Sequence, residues 1–200
     1  MNYLVHLYLA GPSKMNRLGA IMGDFVKGQL DQSLPGKIRQ GLQHHRRIDW
    51  LAHTSSHTRR SRQRLDPRFG HARTILVDIF YDHLLACFWN EFSCQSLEAF
   101  ASEIYAMLFE EQNNLPEGLK RILPHMTRNN WLVSYRNVAS IENALSRIAE
   151  QLSRKTPLEE SIIDLSIHHD DLRIDFEEFI NEAIILGQEE FGITIHSNDD

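Results

Sequence analysis

Cysteine is scarce. Cys87 and Cys94 are the only two in 200 residues, at a spacing that fits no C-x-x-C pair. A disulfide scaffold and a cysteine-based zinc module are thereby excluded, and a reducing cytoplasm is the simplest home. No apolar run approaches the roughly 18–20 residues that a membrane span needs. The opening, MNYLVHLYLAG, is apolar but carries His6 and lacks a basic flank, so it reads poorly as a signal peptide. There is no glycine-rich phosphate loop, no dinucleotide fingerprint and no Gly-x-Ser-x-Gly, which speaks against a nucleotide cofactor and a serine hydrolase. Long alternating strand patterns, internal repeats and low-complexity linkers are missing as well.

What is there is helical. Apolar residues make up 42% of the chain, enough for a sizeable core. Leu18, Ile21, Met22, Phe25 and Val26 fall at helical spacing in one amphipathic segment, and Pro35 suits the first turn of a longer helix carrying Ile38, Leu42, His45, Ile48, Asp49 and Ala52 on one stripe. Further helices are predicted from Thr74 to about Phe92 and from Leu97 to about Gln112. Pro124 and the Thr127–Asn130 cluster are expected to interrupt the chain, and Ser140 to cap a helix with Ile141, Leu145, Ile148 and Leu152. Thr156-Pro157-Leu158-Glu159 offers a capping box for a helix running through Leu165, His169, Leu172, Phe176 and Ile180. The pattern predicts an all-α, single-domain helical bundle over 1–194, with a frayed tail at 195–200.

Charge is unevenly spread beneath a net −6. Residues 37–73 hold ten Lys/Arg against two Asp, while residues 142–200 hold fifteen Asp/Glu against four Lys/Arg. Such separation steers an anionic partner toward the basic stretch, although a solvated basic helix would show the same composition. Nucleic acid is not favoured, since no reading motif or aromatic interleaving accompanies the charge.

Eleven histidines are many, and their neighbours carry the chemistry. His45 and Asp49 stand at i,i+4 on one face, at the edge of a core stripe, where they can ligate a divalent ion or simply bond two helices together. Asp78 and Asp82 share another face in apolar surroundings, with His83 directly following; like charges so placed repel unless a cation or proton intervenes. Asp24 is a lone carboxylate in an apolar segment whose Gly19, Gly23 and Gly28 point to close approach by another backbone or a ligand. His6 by itself reads better as a hydrogen-bonded core histidine, and His168-His169-Asp170-Asp171 as a surface patch that could bind metal. Nitrogen and oxygen donors without sulfur suit Mn²⁺, Mg²⁺, Fe²⁺ or Zn²⁺. With Arg46 and Arg47 adjacent as phosphate-matching forks, the set suggests metal-assisted hydrolysis of a phosphate ester.

Met1-Asn2-Tyr3-Leu4-Val5-His6-Leu7, Gly23-Asp24-Phe25-Val26-Lys27-Gly28, His45-Arg46-Arg47-Ile48-Asp49, Asp78-Ile79-Phe80-Tyr81-Asp82-His83 and Trp131-Leu132-Val133-Ser134-Tyr135-Arg136 follow in this order. Together they resemble the acyl carrier protein phosphodiesterase family, a distant relative of the helical His-Asp metal phosphohydrolases. The resemblance implies the fold of that superfamily, Mn²⁺ (Mg²⁺ or another divalent ion as substitute), and removal of 4′-phosphopantetheine from the serine of holo-acyl carrier protein. It places metal roles on Asp24, His45, Asp49, Asp78, Asp82 and His83. Asp24 or His83 is the candidate base, and Arg46 or Arg47 the candidate grip on phosphoryl oxygens. In the wider superfamily the naming doublet reads His-Asp, whereas here it reads Asp82-His83, so the division of labour among these ligands is open. The acidic carrier protein would dock on the basic stretch 37–73, with Arg59, Arg60 and Arg62 prominent and the acidic C-terminal region facing away or discouraging misdocking. The alternatives are a helical phosphohydrolase acting on a nucleotide or other small phosphodiester, and a non-catalytic module that binds an acidic protein.

Overall fold

The computed structural model describes residues 3–152 and 155–195, and every regular element among them is helical. Helices α1 (Tyr3–Leu9), α2 (Lys14–Met22), α3 (Gly36–Thr54) and α4 (Ser56–Arg64) lead through a 3-10 segment at Pro67–Ala72 into α5 (Arg73–Cys87). Then come α6 (Trp89–Phe92), α7 (Leu97–Glu110), α8 (Glu117–Arg128), α9 (Trp131–Ser134) and α10 (Val138–Gln151). A short 3-10 turn at Leu158–Ser161 precedes α11 (Ile162–Ile167) and the long α12 (His169–Phe191). No described helix is long and apolar enough to cross a membrane.

α5 is the central rod. From Leu76 to Ala86 every residue is buried except the half-buried Asp78, as expected of a helix that is apolar nearly all round. Tyr81 packs edge-on against Phe176 of α12, with ring centroids 5.3 Å apart. α2 and α3 cross closely because glycines face each other: a Cβ on Gly19 would lie 2.1 Å from the Ile38 carbonyl oxygen, and one on Gly41 would lie 2.2 Å from that of Asn16. The close approach expected at Gly19 is thus a helix crossing.

α4 is held to α12 by a buried carboxylate. Asp175, fully buried, accepts from Arg60 Nε at 2.7 Å, Arg64 Nε at 3.0 Å and Ser61 Oγ at 3.1 Å. A carboxylate out of water needs this number of partners. Ser61 is also within hydrogen-bonding distance of the Tyr81 hydroxyl, which ties the hub to α5.

Several predicted boundaries differ. The segment through Leu18 ends at Met22, and Phe25 and Val26 fold back over it by donating to the Met22 carbonyl. Pro35 is the N-cap of α3, one residue before its first turn. The predicted helix from Thr74 breaks at Phe88, and the helix predicted after Thr156 breaks at His168; both residues adopt φ near −100° with ψ of 18°. Pro124 lies inside α8: it is exposed, so the carbonyl that loses its donor lies on the solvent side. Asn137 rather than Ser140 caps α10, its side chain accepting from the Ala139 N–H. Ile195 packs against the core, whereas residues 196–200, on which the expected tail falls, lie outside the described residues, as do Met1 and Asn2 of the opening motif.

Candidate metal centre

α1, the α2–α3 connection and α3 bring His6, Asp24, His45 and Asp49 into one place. Nε2 of His6 lies 3.1 Å from Asp49 Oδ1, and Nε2 of His45 lies 3.2 Å from Asp49 Oδ2. Asp24 Oδ1 stands 3.7 Å from the same His45 nitrogen. One ligand atom from each of His6, His45 and Asp49 falls within 4.8 Å of the other two. The two imidazoles are stacked, centroids 3.7 Å apart and planes 19° from parallel. Both histidine side chains are 2% exposed, while Asp49 and Asp24 are 45% and 38% exposed. The group is therefore closed on its imidazole side and open on its carboxylate side, and a ligand can enter only there.

The sequence explains how each ring is aimed. The i,i+4 spacing stacks His45 under Asp49 on α3. Gly23 lets the His45 ring pass, since a Cβ there would lie 2.2 Å from its Cγ. Nδ1 of His45 is buried without a hydrogen-bond partner, so packing against Gly23 rather than an outer hydrogen bond fixes the ring. His6 is positioned by Asp82: its two carboxylate oxygens accept from the backbone N–H groups of Leu4 and Val5 at 2.9 and 3.0 Å. That cap pins the first turn of α1 to α5 and turns His6, the next residue, toward Asp49.

Electrostatics follow from burial and pairing. Burial, and then the neighbouring His45, push the His6 pKa well below its usual value, so the ring is neutral at pH 7. For Asp49 burial acts upward, but hydrogen bonds from His45 and His6 outweigh it and hold the carboxyl well below the usual range. Burial raises Asp24, against a smaller opposing pull from His45. Burial also raises Asp78, with Asp49 and Arg62 among the charges it feels. Asp82 is pushed up to about 7 by burial in spite of its two N–H donors.

The other candidates lie elsewhere. His83 is one residue on from Asp82 and so points roughly 100° away. Its Nδ1 is 2.7 Å from the Tyr135 carbonyl oxygen, and burial lowers its pKa. Arg47 is two residues past His45, on the far side of α3; its guanidinium grips Glu190 through Nε and Nη2 at 2.7–2.9 Å and lies over Trp50. Arg46 donates to the Val26 carbonyl at 3.0 Å and thereby fastens the connection that carries Asp24. His169 bonds its neighbour Asp170, both outside the group.

The donor set fits a divalent ion. Two imidazole nitrogens and one or two carboxylates, with no sulfur, suit Mn²⁺, Mg²⁺, Fe²⁺ or Zn²⁺. An ion about 2.0–2.2 Å from each of two donors holds those donors roughly 3 Å apart, which is the spacing found between each histidine and Asp49.

The acidic C-terminal helix does not face away from the basic stretch; it lies on it. Arg60 pairs with Glu178 and Asp175, Arg64 with Asp171 and Asp175, Arg47 with Glu190, and His57 with Glu178. Much of the local positive charge is spent inside the molecule. Some of what remains lines a cavity of about 310 Å³ whose walls include His53, Arg59, Arg62, His71 and Arg73. His53 is one turn beyond Asp49 on α3, and the wall residue Thr74 is one turn before Asp78 on α5, so this basic cavity borders the His/Asp group.

Fold and site together define an all-α protein with a His/Asp group of metal-binding geometry. Residues 1–183 match the family model described as acyl carrier protein phosphodiesterase. Curated relatives named acyl carrier protein phosphodiesterase, from Escherichia coli strains K12 / DH10B and O139:H28, are 29% identical over 183 residues, covering 90% of this chain and 93% of theirs. No solved structure matches it. The chain belongs to the acyl carrier protein phosphodiesterase family.

Proposed function

We propose that this chain hydrolyses the phosphodiester joining 4′-phosphopantetheine to a serine of holo-acyl carrier protein, yielding the apo protein and free 4′-phosphopantetheine. The observation that carries the reading is the His6–His45–Asp49 group with Asp24 beside it, in a chain matched to the family over residues 1–183. His6, His45 and Asp49 would hold a divalent cation, Mn²⁺ foremost, with Asp24 at its open side. Such a cation, when bound, supplies positive charge against phosphoryl oxygens and acidifies water.

The chain's own residues do the rest. Asp24, half-exposed and with a raised pKa, takes a proton from the attacking water at the mouth of the group. Water adds to phosphorus as the bond to the serine oxygen breaks, and that oxygen takes up a proton. Arg46 keeps Asp24 in place through the Val26 carbonyl, and Asp82 keeps His6 in place through the α1 backbone. The acidic carrier protein docks on the unspent part of the basic stretch, the cavity around Arg59, Arg62 and Arg73. The reaction belongs to the cytoplasm, in keeping with the scarcity of cysteine.

Chelation tests the reading. Treatment with EDTA is expected to abolish release of phosphopantetheine from holo-acyl carrier protein, and Mn²⁺ to restore it. Full turnover in the metal-free protein would contradict it.

A further inference from the structure

A second cavity, of about 600 Å³, opens between α1, α8, α9 and α10. Its walls include Tyr3, Ile122, Trp131, Asn143, Arg147 and Gln151. Nothing in the chemistry described above uses it, yet two of its walls belong to elements adjoining the His/Asp group. Tyr3 and His6 are three residues apart on α1, one turn along the same face. Phe25, the neighbour of Asp24, packs on Gly118 so closely that a Cβ there would lie 2.7 Å from its ring. Gly118 is one turn before Ile122 on α8. The cavity is thus walled by elements that neighbour the group at His6 and at Asp24, and its lining shares no residue with the basic cavity bordered by His53 and Thr74.

Its chemistry differs from that of the basic cavity in a way that selects an occupant. The walls combine aromatic and aliphatic faces with side-chain amides, and Arg147 is the one charged residue among them. A cavity of this kind suits an uncharged chain that carries amide groups and apolar carbons, and its volume lies within the range of about 300–1,000 Å³ usual for small-molecule sites. An acidic helix or a polyphosphate would need more cations than this wall offers.

We propose that this cavity receives the pantetheine portion of the substrate. The phosphodiester then sits at the His/Asp group, the protein portion lies over the basic cavity, and the neutral amide-bearing arm runs under Trp131 and along Asn143 and Gln151. This deepens the reading given under Proposed function and rests on it for the identity of the arm. It also accounts for a leaving group of fixed direction: one side of the scissile phosphate faces α10 and the other faces α4.

The test uses the full chain and pantetheine itself, without phosphate or carrier protein, so that its result does not depend on cleavage. Calorimetric titration of the wild type is expected to show binding in the millimolar range or tighter. Ala144→Trp, which fills the cavity from α10, and Asn143→Leu, an exposed position that cannot unfold the core, are each expected to weaken it by about tenfold or more. A photoreactive pantetheine is expected to label α9 or α10. Failure of the wild type to bind pantetheine, unaltered binding by both variants, or labelling confined to α4 and the Pro67–Ala72 segment would each overturn the proposal. If pantetheine binds and both variants lose it while the wild type leaves holo-acyl carrier protein uncleaved, the cavity stands and the proposed reaction fails. If the wild type cleaves the carrier protein but does not bind pantetheine, the reaction stands and the cavity loses its assigned occupant.

Discussion

His44 and His45 are neighbours in sequence with opposite fates. Nε2 of His45 faces two carboxylates. Nε2 of His44 is buried without a partner, 3.1 Å from where a Cβ on Gly187 would be, with its ring edge-on to Phe191. Burial lowers the His44 pKa from 6.5 to about 4, so the folded chain holds it neutral where the unfolded chain protonates it. The unfolded state therefore binds more protons between pH 6.5 and 4: the stabilisation is present above 6.5 and is lost as the pH falls through that interval. The wild type should lose about 3 kcal/mol more than His44→Leu between those limits, measured by chemical unfolding at each pH; equal losses would contradict this. At this scale the His45–Asp49 pair was legible, because its i,i+4 spacing is local. His6 was not, because its partner is 43 residues away. Asp82 was legible as a carboxylate in apolar surroundings, but its partners, the N–H groups at the start of α1, lie 77 and 78 residues off and leave no spacing signal.

The pairing of α4 with α12 rests on Asp175, which holds two arginines and a serine while fully buried. Asp175→Ala leaves Arg60 and Arg64 without their inner partner and is expected to cost about 3–5 kcal/mol, read from the denaturant midpoint. A loss below about 1 kcal/mol would mean that Glu178 and Asp171 carry the contact alone. The periodicity made α3, α5, α7 and α12 legible because each has a long buried face. It missed the breaks at Phe88 and His168, since helical apolar spacing runs on across both and neither is a glycine or proline that would mark a stop. It also treated Pro124 as an interruption, whereas an exposed proline in α8 forfeits only a hydrogen bond that solvent can replace.

Across the whole molecule, part of the excess of basic residues at 37–73 and of acidic residues at 142–200 is one internal interface. The asymmetry was visible in the sequence; its internal cancellation was not, because composition does not say which charges meet. Arg60, expected to engage the partner, is committed to Asp175 and Glu178, so reversing it would test the fold rather than docking. Arg59 and His71 are exposed and border the basic cavity. Arg59→Glu with His71→Glu is expected to lower kcat/KM for holo-acyl carrier protein about tenfold at low salt, through KM, and to lose that effect as salt is raised. A salt-independent loss, or none, would count against docking on this face.

One group of side chains is thus assigned one reaction. Intact-mass measurement of holo-acyl carrier protein, incubated with Mn²⁺ and either the wild type or Asp49→Ala, tests that assignment most directly. The wild type is predicted to remove the full mass of the phosphopantetheine arm, and Asp49→Ala, which deprives both histidines of their shared carboxylate, to leave the mass unchanged over the same time. An unaltered carrier protein with the wild type, or equal conversion by Asp49→Ala, would contradict it.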